Sequence, residues 1–170
     1  MNSSTRRKEI MNRIIKASKP IKGIELANTF GVTRQVIVKD IAIIRATGIN
    51  IIATPEGYIV TKEDSRYKQV LALYHKEEDM INELEIVVRY GGIIEDVIIE
   101  HPIYGEIKAN LMIRNLNDLN NFMNLYKKNK AKPLSALTEG IHLHTVSTEN
   151  GEDMQLIISE LEKNGYILKD

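Results

Sequence analysis

Charge is distributed unevenly along this sequence of 170 residues, and it divides the chain into two parts. As far as Thr61, ten Lys and Arg residues face four Asp and Glu residues, which gives this part a net charge of +6. The whole chain has 23 residues of each sign, so the remainder carries −6. Clustered Lys and Arg bind phosphate groups, which makes the basic part a candidate for DNA binding. We therefore predict two domains, over residues 1–62 and 66–170.

The basic part has the pattern of three short helices followed by a β-hairpin. Apolar residues at helical spacing predict helices over residues 6–17, 23–30 and 34–46. Gly31 is a turn residue that tolerates positive φ between the second and third helices. Residues 55–57 form a Pro-Glu-Gly turn between two β-rich runs. This order predicts a winged helix-turn-helix, whose third helix enters the major groove of DNA by its N-terminal end.

The third predicted helix carries the polar side chains suited to DNA contacts. Arg pairs bidentately with guanine and Gln with adenine, so we predict that Arg34 and Gln35 contact base edges. Lys39 and Arg45 lie farther along the helix, and we predict that they contact phosphates. The alternative is a winged-helix module that binds protein, with these basic residues merely solvated. The charge cluster and the turn signals are independent observations, and both favour DNA.

The acidic part predicts an α+β sandwich with a largely antiparallel sheet. Its pattern gives the order β-α-β-β-α-β-α-β. The predicted strands cover residues 67–74, 93–100, 106–113, 141–146 and 166–168, the helices cover 77–90, 117–126 and 151–163, and a polar loop covers 127–140.

Composition excludes several other classes of protein. The sequence has no cysteine, which rules out disulfides and thiolate metal sites. No apolar run approaches the roughly 20 residues of a membrane span, and no secretory signal is visible. We therefore expect a cytoplasmic protein with no membrane partner.

All four histidines lie in the acidic part, and two of them share one face of a predicted strand. Residues two apart in a strand point the same way, so His142 and His144 project together and could bind one metal ion. With His75 and Glu83 the set would suit a divalent ion such as zinc, nickel or iron. Paired histidines on a half-exposed strand are more often plain surface or interface residues. Spacing alone leaves both interpretations open.

The bend over residues 100–106 groups an imidazole, a phenol and two carboxylates. His101, Tyr104 and Glu106 could line a pocket for a small molecule. Alternatively, the bend is a tight connection in which His101 hydrogen-bonds to the backbone. The chemistry of these residues does not choose between the two.

Several strings of residues are distinctive when taken together. They are Arg-Gln-Val-Ile-Val-Lys-Asp-Ile at 34–41, Ala-Thr-Pro-Glu-Gly-Tyr at 53–58, Glu-His-Pro-Ile-Tyr-Gly-Glu at 100–106, Ala-Lys-Pro-Leu-Ser-Ala-Leu-Thr at 131–138 and Gly-Ile-His-Leu-His-Thr at 140–145. These strings resemble the niacin-responsive transcriptional repressors, and the resemblance covers nearly the whole chain. That family joins an N-terminal winged helix to a three-histidine (3H) regulatory domain.

The resemblance implies a homodimeric repressor of genes for NAD biosynthesis or niacin uptake. It implies nicotinic acid as the co-repressor and a double-stranded DNA operator as the partner. It also implies one divalent transition metal per chain, with His75, Glu83, His142 and His144 as ligands. His101 matches a further family histidine, which places the bend with Tyr104 and Glu106 near the effector.

Two rival functions remain compatible with the residues. The chain could be a direct metal sensor, in which the ion itself is the signal. It could also be a metal-dependent enzyme fused to a DNA-binding domain, with Glu83 or Glu106 as the base. We expect a regulator and no catalytic residues.

Overall fold

The computed structural model of the protein describes residues 2–61 and 65–169. The chain divides into two compact units, Met1–Asp64 and Ser65–Asp170. Each unit has a hydrophobic core of its own.

The first unit is a winged helix-turn-helix of three helices and one hairpin. Its elements are α1 (Ser3–Lys16), α2 (Gly23–Phe30), α3 (Arg34–Ala46), β1 (Ile51–Thr54) and β2 (Gly57–Val60). The three helices pack around one apolar cluster, to which α3 contributes Ile37, Ile41 and Ile44. These three residues lie on one face of the helix, which leaves the opposite face for solvent.

The wing is fixed to the segment before α2 by main-chain hydrogen bonds. Ile21 and Tyr58 exchange two N–H to carbonyl bonds of 2.9 Å each. Gly57 beside them has a φ of +135°, and a Cβ on it would lie 2.3 Å from the carbonyl oxygen of Ile21. Only glycine fits such a position, because L side chains avoid this φ and have no room here.

An ion pair in the first unit reduces the number of cations that face solvent. Asp40 is buried on α3, where Nε of Arg6 lies 2.6 Å and Nη1 of Arg7 lies 3.5 Å from its carboxylate. Both arginines belong to the basic cluster counted in the sequence. Their charge ties α1 to α3, so the cluster available to DNA is smaller than the sequence suggests.

The second unit is a four-stranded sheet with helices packed on one face. Its elements are β3 (Tyr67–Tyr74), α4 (Met80–Arg89), β4 (Ile93–His101), β5 (Gly105–Ile113), α5 (Leu116–Asn129), β6 (Ile141–Thr148) and α6 (Gly151–Lys163), with 3₁₀ turns at Glu77–Asp79 and Leu134–Thr138. The strand order is β3-β6-β4-β5, and all neighbouring pairs are antiparallel. The predicted α+β fold is thus confirmed.

Three elements differ locally from the predicted ones. The helix expected over 77–90 begins as a 3₁₀ turn of three consecutive acidic residues and becomes α-helical only at Met80. Helix α5 extends to Asn129, because two lysines in its last turn suit the negative end of the helix dipole. The last strand, expected over 166–168, is reduced to a single bridge between Ile167 and Leu73.

The face of the sheet opposite the helices carries exposed apolar side chains. Val70, Tyr74 and Ile141 are each about half exposed, and Tyr74 lies directly across from Ile141 in the β3–β6 pair. A sheet face covered by helices would bury such residues. Within the described residues, this row is left open to solvent.

Candidate functional site

Four side chains meet between the covered face of the sheet and α4. The pairing of β3 with β6 places Leu73 opposite His142, so His75, just beyond the end of β3, comes near the start of β6. His142 and His144 point to the covered face as their alternation predicted. Glu83 is on the first turn of α4 and shares its buried stripe. None of the four residues is more than 5% exposed.

The imidazoles surround one carboxylate oxygen. The Nε2 atoms of His75, His142 and His144 lie 3.0, 3.7 and 3.5 Å from Oε2 of Glu83. Ligand atoms of His75, Glu83 and His142 all lie within 4.8 Å of one another. The structure therefore brings together the whole set of residues that the resemblance implied as ligands.

The other nitrogen of each imidazole faces a main-chain carbonyl. The Nδ1 atoms of His75, His142 and His144 lie 2.7, 2.9 and 2.5 Å from carbonyl oxygens, which belong to Lys76, Gly140 and Asp96 respectively. A carbonyl only accepts, so each Nδ1 carries the hydrogen and each neutral ring turns a lone pair on Nε2 toward the carboxylate. Histidines that bind metals are oriented by such a second hydrogen bond.

This arrangement places four acceptors together and needs a cation. Within residues 2–61 and 65–169, the buried Oε1 of Glu83 has no hydrogen-bond partner. A buried, uncompensated carboxylate is costly, whereas a divalent ion would satisfy all four groups. Imidazole nitrogens with one carboxylate oxygen suit zinc, nickel or iron. The donor set therefore fits the metal that the resemblance implied.

The same electrostatics attract protons in the absence of an ion. Burial lowers the pKa of His144, but the charge of Glu83 and its hydrogen bond outweigh burial, so the pKa is raised. Burial likewise lowers the pKa of His75, and its hydrogen bond with Glu83 reverses the direction. Burial raises the pKa of the Glu83 carboxyl, yet the charge of His144 and the imidazole hydrogen bonds hold it well below its usual range. The centre is thus a site for positive charge.

Gly140 had no predicted role of its own beyond its place in the string at 140–145. Its φ is +97°, and a Cβ there would lie 2.5 Å from the carbonyl oxygen of His75. Its own carbonyl accepts the hydrogen bond from His142. A glycine directly before a His-x-His strand was the available signal, because it allows the two segments that carry His75 and His142 to approach closely.

The three residues predicted to bind the effector are divided by the structure. Nδ1 of His101 accepts the N–H groups of Ile103 and Tyr104 at 3.2 and 3.4 Å, so His101 stabilises the β4–β5 turn. Tyr104 is 75% exposed at the tip of that turn. Glu106 lines a cavity of about 440 Å³, and neither His101 nor Tyr104 lines it. The other residues that line it include Ile98, Glu100, Thr138, Ile141, His142 and Leu143.

A second cavity, of about 260 Å³, adjoins His75, one of the four residues that could hold a metal ion. Tyr74, Ser135 and Gly140 line it together with Lys76 and three acidic residues, Glu77, Glu78 and Glu139. Like the larger cavity, it has more carboxylates than lysine or arginine side chains, so neither cavity would hold an anion on side-chain charge alone.

The residues predicted to contact DNA are all exposed on α3. Gln35 and Lys39 are four residues apart and therefore share one face of the helix. Arg34 lines a cleft of about 210 Å³ between α3 and the wing, with its side chain beside Gly23. Val38 is 43% exposed between Gln35 and Lys39, and apolar side chains at such positions contact thymine methyl groups. Val38 was not among the residues predicted to contact DNA.

Across the described residues, we find no helix with the length and apolar character to cross a membrane.

Comparison with known proteins matches both units. The family described as HTH domain matches residues 6–59, and the family described as 3H domain matches residues 68–170. A protein of Thermotoga maritima named "Probable transcription repressor NiaR" is 40% identical over 165 residues, which cover 97% of this chain and 94% of that protein. The "Transcription repressor NadR" of Bacillus subtilis is 32% identical over 171 residues, which cover 98% and 95%.

The fold and these matches define a DNA-binding transcription repressor, and the prediction of a regulator in place of an enzyme is confirmed. The relatives match almost from end to end. Within that class, the chain belongs to the niacin-responsive repressor family, as its sequence resemblance predicted.

Proposed function

We propose that this chain represses genes of NAD biosynthesis or niacin uptake as a homodimer, with nicotinic acid as co-repressor and a divalent metal in the regulatory unit. The observation that carries the metal is the convergence of three Nε2 atoms on the buried carboxylate of Glu83. The names of the two relatives support repression.

His75, Glu83, His142 and His144 would hold the ion. Zinc, nickel and iron all accept this combination of imidazole and carboxylate. Such an ion would supply positive charge inside the regulatory unit and join β6 to α4. The protein's own contribution is the orientation of the imidazoles by the three main-chain carbonyls.

The larger cavity is our proposed site for nicotinic acid. Its volume of about 440 Å³ lies in the usual range for small-molecule pockets. Glu100 and Glu106 both line it and pair across β4 and β5, so two carboxylates oppose the entry of an anion. His142 lines the same cavity, and a divalent ion on His142 would offset that repulsion. Binding of the acid should therefore require the metal.

A homodimer would give the operator two recognition helices. Helix-turn-helix dimers bind half-sites about one helical turn apart, or a multiple of it. The exposed row of Val70, Tyr74 and Ile141 is the surface that a second copy would cover. Effector and DNA must affect one another equally: if nicotinic acid tightens DNA binding, DNA tightens nicotinic acid binding by the same factor.

The test is calorimetric titration of nicotinic acid, and then of nicotinamide, into metal-loaded and metal-stripped protein. We expect saturable binding of the acid to the loaded protein and its loss on stripping. If neither compound binds the loaded protein, the co-repressor proposal is wrong. The metal itself would then be the leading signal, because the centre supplies four protein ligands and needs no organic ligand to be complete. Operator binding that responds to the metal alone would establish that function.

A further inference from the structure

Asp96 lies at an irregular point of β4, on the strand that adjoins the metal ligands of β6. Between the pairs Ile94–Val146 and Ile98–Leu143, β4 has one residue more than β6. Such an extra residue is a β-bulge, and bulges redirect side chains next to functional sites. Asp96 lies within this bulge and is only 1% exposed.

Three groups of β5 and β6 contact Asp96. Its Oδ1 accepts the N–H of Thr145 at 2.8 Å, and its Oδ2 lies 3.0 Å from Nζ of Lys108. Its main-chain carbonyl accepts Nδ1–H of His144 at 2.5 Å. The side chain thus anchors the residue next to His144, while the backbone of the same residue orients the His144 ring.

We propose that Asp96 is a positioning residue for the metal centre. A bulge disrupts the ladder of hydrogen bonds locally, so regular pairing with β6 does not fix the direction of the Asp96 carbonyl. The bonds from Oδ1 to Thr145 and from Oδ2 to Lys108 hold the bulge from two sides. The carbonyl then keeps one direction, which sets the direction in which His144 presents Nε2. This inference rests on the proposed metal centre and adds to it a residue outside the ligand set.

A purely structural role would explain the same contacts, so the test needs a readout that stability does not move. We would measure the affinity of the full chain for Zn²⁺ and Ni²⁺ by competition with a chromophoric chelator. We would also record the visible absorption of bound Co²⁺, which reports the geometry of its ligands. Melting temperatures of the stripped proteins would follow stability separately.

The variants are Asp96→Ala and Asp96→Asn, with Asp118→Asn as the matched control. Asp118 is a buried carboxylate of the same unit, and it accepts hydrogen bonds from Arg114 at the start of α5. Loss of a group that orients a metal ligand typically lowers affinity about 10–100-fold, and we expect this from Asp96→Ala, with an altered Co²⁺ spectrum. Asp96→Asn keeps an oxygen for the N–H of Thr145 and should recover most of the affinity. The control should lower stability and leave affinity and spectrum unchanged.

The outcomes that would refute the positioning role differ from those that would refute the metal centre. A folded Asp96→Ala protein with the affinity and Co²⁺ spectrum of the wild type would overturn the positioning role and leave the metal centre intact. If Asp96→Ala does not fold, Asp96→Asn becomes the test variant. It loses the negative charge opposite Lys108, so its Co²⁺ spectrum should still differ from that of the wild type, by less than is expected for Asp96→Ala. An Asn variant identical to the wild type would then refute the proposal. A wild-type protein that binds none of these ions would instead refute the metal centre, and the positioning role with it.

Discussion

Substitution of Glu83 by glutamine is the most specific test of the proposed metal centre. The side chain is fully buried, and its Oε2 is the oxygen on which three imidazoles converge. Glutamine keeps the shape, removes the charge and supplies N–H groups that the Nε2 atoms can accept. The stripped variant should therefore fold, while its affinity for a divalent ion should fall.

The size of the effect follows from binding linkage. Loss of a group that only orients a ligand costs up to about 100-fold in metal affinity, so loss of a charged ligand should cost at least about 100-fold. An ion at a concentration 100 times its Kd stabilises the native state by about 2.7 kcal/mol. A variant with about 100-fold weaker affinity would keep only about 0.4 kcal/mol of this stabilisation, a loss of about 2.3 kcal/mol. Each kcal/mol moves the Tm of a domain of about 100 residues by roughly 4 °C, so the metal-dependent rise should shrink by about 9 °C.

The assay is differential scanning fluorimetry of the full chain with and without excess Zn²⁺ or Ni²⁺. Glu85→Gln is the matched control, because Glu85 is on the same helix and forms only an i,i+4 ion pair with Arg89. We expect the control to keep the full metal-dependent rise. If Glu83→Gln also keeps it, Glu83 is not a ligand and the assignment of the centre is refuted.

Further predictions concern pH, DNA and the wing. In the stripped folded protein, Glu83 raises the pKa values of His75 and His144. The stability that this contributes is complete below the pKa of these histidines in the unfolded chain, and it is lost as pH rises through their higher pKa in the folded protein. The metal-dependent rise in Tm should therefore grow from about pH 6 to pH 8; a constant rise would contradict this. Lys39→Ala should weaken binding to all operators evenly and reduce the slope of log affinity against log salt by about 0.9, in fluorescence anisotropy titrations. Arg34→Ala should relax sequence preference, and a panel of operator variants ranked as by the wild type would exclude that role. Gly57→Ala should destabilise the first unit by about 1–3 kcal/mol in chemical unfolding, because its φ of +135° is closed to alanine.

Features that depend on a short repeat of side chains along a strand or helix could be predicted from the sequence. The alternation of β6 placed His142 and His144 on one face, and the three isoleucines of α3 marked its buried side. These features depend on neighbours within a few residues. The fold class could be predicted for the same reason, since each helix and strand carries its own pattern.

Features set by distant segments could not be predicted in this way. The pairing of β3 with β6, which brings His75 to the start of β6, joins segments about seventy residues apart. The bulge at Asp96 and the burial of Asp40 against Arg6 likewise exist only after distant segments meet. A count of charges therefore overestimated the basic surface, and spacing alone could not separate a metal centre from surface histidines.

The burial of the proposed metal ligands has a consequence for the rate at which an ion would exchange. None of the four proposed ligands is more than 5% exposed, so an ion bound by them would be released only when its surroundings open locally. The rate of exchange would then be governed by the frequency of that opening and by the affinity of the ligands. A metal sensor must exchange its ion faster than the concentration of that ion changes. An ion with a purely structural role need not exchange. Slow exchange would make the ion a permanent component of the regulator. Rapid changes in repression would then depend on an effector that binds without local unfolding.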